Sequence, residues 1–114
     1  MFSVRINDIF FINGQGMVLA GRVESGRVCI GARVSLCTPV VAVPTALAGV
    51  ERNRQIVPCV SAGETIALMI RDIHPSQLEA GVEFIESSDK HISSWRVLDL
   101  VVEEAPKFWW EFWR

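Results

Sequence analysis

Apolar and polar residues alternate along much of the chain. In "MVLAGRVESGRVCIGARVSL", residues 17–36, every second position from Met17 to Val23 is apolar or glycine, and the alternate positions end in Arg22 and Glu24. Successive side chains of a β-strand point to opposite faces of the sheet, so a period of two is typical of a strand with one buried face. Residues 32–36 and 66–70 repeat the pattern, and we predict strands in all these segments. The predicted core positions are Val18 or Leu19, with Ile66, Leu68 and Ile70.

Turn-forming residues divide these strands at intervals of about eight to twelve residues, which favours an antiparallel sandwich or a small barrel. They are Asn13-Gly14, Ser25-Gly26, Gly31, Pro39, Pro44, Pro58, Gly63 and Gly81. The segment "HPSQLEAG", residues 74–81, is the exception. Pro75 suits the first position of a helix, so we predict a single helical turn there.

Length and charge limit the classes of protein to consider. A chain of 114 residues suits one compact core, and its formal net charge is −2. A protein held to nucleic acid by bulk electrostatics would be basic, so any nucleic-acid contact has to be local. No apolar segment approaches the length of a membrane span, and the N-terminus has no secretory leader pattern. We therefore predict a cytoplasmic protein without a transmembrane segment.

The three cysteines, Cys29, Cys37 and Cys59, form no C-x-x-C pair and are odd in number. This pattern argues against a zinc site and against a disulfide framework. We predict buried free thiols in a reducing compartment. The two histidines, His74 and His91, have no acid or nucleophile at a meaningful spacing, so we predict no metal site, no cofactor and no catalytic residues.

Residues 16–23 read G-x-x-x-x-G-R-V and come close to a phosphate-binding loop. Such a loop needs a lysine for the outer phosphates, a Ser or Thr hydroxyl for magnesium, and a helix that begins at the anion. Here Arg22 and Val23 stand in those places, and the strand alternation continues through them. The sequence therefore predicts no nucleotide binding, and the glycines are turn and strand-packing residues.

Residues 3–86, about three quarters of the chain, resemble the second domain of elongation factor Tu and of related translational GTPases. Four features occur in the same order as in that family. They are a Gly-x-Gly turn at Gly14 and Gly16, "GRVESG" at Gly21 to Gly26, "GVE" plus arginines at Gly49 to Arg54, and "AGE" with an apolar strand and a short turn at Ala62 to Gly81. The resemblance implies a small closed antiparallel β-barrel of about six strands in residues 1–88, followed by a C-terminal extension in residues 89–114. Only Met1 and Phe2 precede the resemblance, so we expect no GTPase domain.

The resemblance also implies a site. In elongation factor Tu this barrel helps to hold the aminoacyl end of transfer RNA through an acidic pair, a phenylalanine and an asparagine. The corresponding positions here are Asn7, Asp8, Phe10 and Thr65, so two of the four have changed. In the larger GTPases the equivalent barrel contacts ribosomal RNA. That contact depends less on the identity of individual residues.

Two pairs of charged residues add to this surface. Arg52 and Arg54 alternate, so a strand would place both guanidinium groups on one face as an RNA or partner contact. Arg22 and Glu24 also share a strand face. They form either an exposed contact or an ion pair within the barrel.

The end of the chain allows several interpretations. Residues 94–105 fit a strand through Leu98, Leu100 and Val102, and they also fit a helix. The last residues contain five aromatic side chains, which we interpret as an association tail that binds a second copy, another protein, the membrane interface or the barrel itself. These residues are Phe108, Trp109, Trp110, Phe112 and Trp113.

The sequence as a whole indicates a non-catalytic binding module that contacts RNA or a protein of the translation apparatus. The alternative is a protein-interaction or scaffold module unrelated to translation, which associates through its aromatic tail.

Overall fold

Twelve strands and one short helix make up the described part of the chain. The structure is a computed structural model and describes residues 1–78, 81–86 and 89–105. The strands are β1 (Ser3–Ile12), β2 (Gly16–Ser25), β3 (Arg27–Cys29), β4 (Arg33–Cys37), β5 (Ala42–Ala46), β6 (Gly49–Arg52), β7 (Gln55–Ile56), β8 (Cys59–Ser61), β9 (Thr65–Ile70), β10 (Val82–Ile85), β11 (Ile92–Val97) and β12 (Val101–Glu104). A four-residue 3₁₀ helix, Pro75–Leu78, is the predicted helical turn. None of the described residues belongs to a helix that is long and apolar enough to cross a membrane.

Strands β1 and β2 form the central hairpin, and the alternation seen in the sequence is the burial pattern of β2. Met17, Leu19 and Val23 are buried, whereas Val18 and Ala20, on the other face, are half-buried. The near-miss phosphate loop is therefore part of a strand. Strand β9 continues the sheet on the other side of β2, with its predicted core residues buried.

The core lies between the inward faces of the curled sheet. Cross-strand pairing aligns Ile9 with Leu19, Leu19 with Leu68, and Leu68 with Val50, and all four side chains are fully buried. Burying one such aliphatic side chain contributes about 1.5 to 3 kcal/mol to stability. This row across four strands holds β1, β2, β9 and β6 in one continuous surface.

The predicted all-β, antiparallel class is confirmed, but the predicted closed barrel of about six strands is wrong. Ten strands form one sheet, in which the order β5-β4-β12-β1-β2-β9-β6-β7 ends in two different strands. A closed barrel requires the strands at the two ends of the sheet to pair with each other. Here β10 joins β11 at the side, and β3 and β8 form a separate two-stranded sheet. The result is a curled, open half-barrel.

Residues 94–105, for which the sequence allowed either a strand or a helix, belong mainly to strands β11 and β12. β11 pairs with residues 8–12 of β1, and β12 pairs with residues 3–5 of β1 and with β4. The predicted boundary near residue 88 therefore falls between strands of a single sheet. The five aromatic residues of the predicted association tail lie outside the described residues.

The prediction of three free cysteines is wrong, because Cys29 and Cys59 form a disulfide. They are directly opposite each other in the β3–β8 ladder. A spacing of thirty residues carries no signal for such a pair, since the contact depends on strand register. Cys37 is the free cysteine among the described residues. The free-thiol part of the argument for a cytoplasmic location therefore no longer holds.

Candidate functional site

The outward face of strands β1, β2, β9 and β6, called the outer face below, carries small and half-buried side chains. Val18 is paired with Met69, and Ala20 is paired with Ala67. All four are half-buried although they point away from the core. Because the side chains of Ala20 and Ala67 are short, we infer a shallow groove along this part of the outer face.

The groove deepens into a pocket of about 600 Å³ beside the β1–β2 turn, called the hairpin pocket. Its volume is within the range of small-molecule and cofactor sites. Twelve residues from five parts of the chain line it. They are Phe11, Gly14, Gln15, Gly16, Met17, Val18, Ile30, Ala48, Gly49, Ile56, Met69 and Arg71.

The turn between β1 and β2 contributes two glycines to the lining of the hairpin pocket. Gly14 and Gly16 have φ angles of 83° and 107°, a region that favours glycine. A Cβ atom at Gly14 would meet nothing within 4 Å, so a ligand can approach the backbone closely there, whereas a Cβ atom at Gly16 would lie 2.7 Å from the carbonyl oxygen of Ile70. The predicted turn role of these glycines agrees with their conformation.

The walls of the hairpin pocket are apolar, and one positive charge lies among them. Ile30 and Ile56 are 45% and 70% exposed, although apolar side chains of this size are usually buried. Arg71 is the one charged residue of the lining, and it makes no ion pair with any residue in the described ranges. The pocket therefore suits a ligand with an apolar part and an anionic group.

A second, shallower pocket of about 470 Å³ lies towards the opposite end of β1 and β2. It is lined by Arg5, Asn7, Arg22, Val23, Glu24 and Gly63. Glu24 accepts a hydrogen bond from Arg5 Nε at 2.9 Å. Glu24 thus pairs with Arg5, and no ion pair joins it to Arg22 in the described part of the chain.

Four of the six predicted contact residues border the outer face between the two pockets. Phe10 is paired with Val18, a residue of the hairpin pocket, and Asp8 is paired with Ala20. Thr65 is paired with Arg22 of the second pocket. Asn7 is the extra residue of a β-bulge, because the register shifts between Ile6 and Asp8. Bulges redirect side chains and are frequent beside binding sites.

Arg52 and Arg54 do not share a strand face, so that part of the prediction is wrong. Arg52 is the last residue of β6, and its Nη1 atom donates to both carboxylate oxygens of Glu64, at 3.1 and 3.3 Å. Arg54 lies in the two-residue turn that connects β6 and β7. Asn53 and Arg54 have φ angles of 53° and 63°, as a type I′ turn requires. Arg54 is thus an exposed cation at a hairpin tip, and Arg52 is held by an internal ion pair.

His74 has a packing role in the structure. Its ring lies 4.7 Å from the ring of Phe11 and 5.9 Å from that of Trp95, measured between centroids. The Nδ1 atom of His74 is 2.8 Å from Ser76 Oγ. Within residues 1–78, 81–86 and 89–105, no three His, Cys, Asp or Glu side chains come together as metal ligands.

The sequence did not indicate the hairpin pocket. Ile30, Ile56, Met69 and Arg71 come from separate segments, and each fits a strand or turn pattern by itself. They meet only through long-range pairing. The available signal was the strand after the "AGE" motif, where a methionine and an arginine both point outward at positions 69 and 71.

The comparisons with known proteins concern the fold. No protein-family model matches the chain. Among solved structures, translation elongation factor SelB from Methanococcus maripaludis, in its apo form, matches with a TM-score of 0.64 and 16% sequence identity over 90% of this chain. The matched part is 18% of the SelB chain, so this chain spans a small portion of that protein. The chain therefore has the fold of a β-rich part of a translation elongation factor, which confirms the resemblance found in its sequence.

Proposed function

We propose that this chain is a translation-related binding module that holds an unpaired end of an RNA on its outer face, with the terminal nucleoside in the hairpin pocket. The hairpin pocket carries the proposal, because its apolar walls, the accessible backbone at Gly14 and the side chain of Arg71 suit a nucleoside and its phosphate. The likeness to a translation elongation factor supports the translation-related part of the proposal.

A nucleobase is a flat ring system that gains free energy by stacking on apolar and aromatic surfaces. Val18 and Met69 form the wall beside the groove, and Ile30 and Ile56 stand partly exposed around the pocket. A polarizable thioether such as that of Met69 packs well against rings of varied shape. The pocket thus favours a base without a demand for one particular base.

Arg71 supplies the contact for the phosphate. A guanidinium group donates paired hydrogen bonds to phosphate oxygens, and such charge-assisted bonds are stronger than neutral ones. The described residues that line the hairpin pocket include no carboxylate to repel the anion. The groove between Phe10 and Thr65 then leads the strand towards Arg22, which makes no ion pair among the described residues.

Fluorescence anisotropy with a short labelled single-stranded RNA tests the proposal. We expect Arg71→Ala to weaken binding about tenfold, the effect of losing one charge-assisted hydrogen bond of about 1.5 kcal/mol. The dependence of affinity on salt should also become less steep by about one phosphate contact. Arg27→Ala removes the same charge from β3, outside both pockets, and is the matched control.

Equal loss of affinity in the Arg71 and Arg27 variants would mean that only net charge matters and would refute a specific site. Absence of RNA binding by the unmodified chain would leave the protein-binding alternative. A double-stranded RNA of the same length should bind more weakly, because its bases are stacked and unavailable to the pocket.

A further inference from the structure

The disulfide between Cys29 and Cys59 joins two segments that each contribute a residue to the lining of the hairpin pocket. Cys29 ends β3, and the next residue, Ile30, lines the pocket. Cys59 begins β8, three residues after Ile56, which lines the pocket from another segment. The disulfide thus joins the two chain segments that carry these walls.

Other interactions of these two segments, among the described residues, include the β3–β8 ladder, whose Val28 and Val60 are buried, and a bond from the N–H of Val57 to the carbonyl of Val50. The β3–β8 ladder has three residue pairs, and the Cys29–Cys59 pair is the one next to the pocket. Beyond it, the N–H of Ile30 donates to the carbonyl of Pro58 at 2.9 Å. β7, which contains Ile56, has two residues and pairs with β6 alone. Short ladders at a sheet border open more easily than core strands.

From this arrangement we propose that Cys29 and Cys59 form a reversible redox site that sets the affinity of the hairpin pocket. The oxidised pair holds Ile30 and Ile56 at a fixed separation, and reduction releases the Ile56 segment from Ile30 and widens the pocket. This inference rests on the proposed function only for the identity of the ligand. The release of the pocket walls does not depend on it.

The reaction is thiol–disulfide exchange with a dithiol reductant. A thiolate of the dithiol attacks one sulfur of the Cys29–Cys59 bond, and its second sulfur then displaces the protein from the mixed disulfide. Two electrons and two protons pass to Cys29 and Cys59, and the reductant leaves as a cyclic disulfide. Both cysteines are partly exposed, so the bond is open to attack at the surface.

The test uses the full chain with Cys37→Ser, so that only the Cys29–Cys59 pair is redox-active. Amide hydrogen exchange is measured by NMR with and without dithiothreitol. We expect the amide of Ile30, which bonds to Pro58, to exchange about tenfold faster after reduction. The amide of Leu19, in the middle of β2, should not change, which separates local release from general unfolding.

Two probes then report on the pocket. Anilinonaphthalene sulfonate has apolar rings and an anionic group, and the labelled single-stranded RNA tests the proposed ligand. Both should bind about fivefold more weakly to the reduced protein and regain affinity on reoxidation. Met69→Glu adds a carboxylate to the pocket lining, which repels the anionic dye. In this variant the affinity for the dye should no longer depend on the redox state of the protein.

The outcomes distinguish the two proposals. A redox-dependent dye affinity together with no RNA binding supports the redox site and refutes the proposed RNA ligand. Unchanged exchange at Ile30, or unchanged dye affinity after complete reduction, overturns the redox site. The double variant Cys29→Ser/Cys59→Ser should behave as the reduced protein under oxidising conditions, and if it does not fold, the Cys37→Ser protein with and without reductant gives the same comparison.

Discussion

Arg54 occupies a backbone conformation that few side chains tolerate. Its positive φ, and that of Asn53, follow from the two-residue turn, and the usual second residue of such a turn is glycine. A residue with a side chain pays about 1 to 2 kcal/mol to adopt the left-handed region. Glycine avoids that cost but loses more conformational entropy on folding, so its net advantage at this position is smaller. An exposed arginine at such a strained position is a candidate for a contact with another molecule.

Arg54→Gly should therefore raise the free energy of unfolding by about 0.5 to 1 kcal/mol, measured by urea denaturation. If Arg54 contacts RNA, the same variant should bind RNA more weakly despite its greater stability. Arg54→Lys keeps the charge and the strained backbone and is the control. A lower midpoint of unfolding for Arg54→Gly would contradict the turn assignment.

Gly49 sets the depth of the hairpin pocket through its neighbour Met69. A Cβ atom at position 49 would lie 2.9 Å from Met69 Sδ, so the flexible methionine would have to move. Gly49→Ala should therefore shift Met69 within the pocket and weaken RNA binding about fivefold, with a stability change below about 1 kcal/mol.

Titration of the Gly49→Ala variant with labelled RNA measures the loss. In a Met69→Ala background, Gly49→Ala should cause no further loss of affinity, because the side chain that it would displace is absent. Full affinity in the single variant would show that Met69 does not shape the ligand site.

The strands could be predicted from local pattern, and their pairing could not. Alternation in β2 and β9 predicts burial because it depends only on neighbours in sequence. The open sheet, the Cys29–Cys59 pair and the hairpin pocket all depend on which distant strands lie side by side. The turn at Arg54 was missed for a local reason, since its second residue is not the expected glycine.

Strands β11 and β12 complete the sheet on the open side of β1. Removing them would leave the Ser3–Ile12 strand with β2 as its one partner, and would take away Leu100 and Val102, both buried. Each of those side chains is worth about 1.5 to 3 kcal/mol, a large part of the 5 to 15 kcal/mol that stabilises a typical domain.

We therefore expect a fragment of residues 1–88 to lack a cooperative thermal transition, measured by circular dichroism. A fragment of residues 1–105 should melt cooperatively. A cooperative transition in the shorter fragment would establish residues 1–88 as an independent domain and reduce β11 and β12 to an appendage.

The aromatic tail is expected to control whether copies of the protein associate in solution. Its five rings lie outside the described residues, so the prediction rests on the sequence. Each large ring buries about 150 to 250 Å² when it finds a surface, and exposed rings favour association. We expect deletion of residues 107–114 to abolish any concentration-dependent increase in mass, measured by light scattering.

A tail of the same length with serine in place of its aromatic residues is the control for the deletion. An identical monomeric mass for all three proteins at high concentration would exclude self-association through the tail. The remaining roles would be a foreign partner or contact with the tail's own sheet.

The pairing of Ser3 with Glu103 brings the first and last described strands side by side. Neighbouring antiparallel strands have Cα atoms about 4.5 to 5.5 Å apart, so the two ends of the fold leave at nearly the same point. Domains with adjacent ends tolerate circular permutation and insertion into other chains. This fold is therefore portable: a longer protein could carry it within a surface loop, attached by two short linkers, without separating any of its strands.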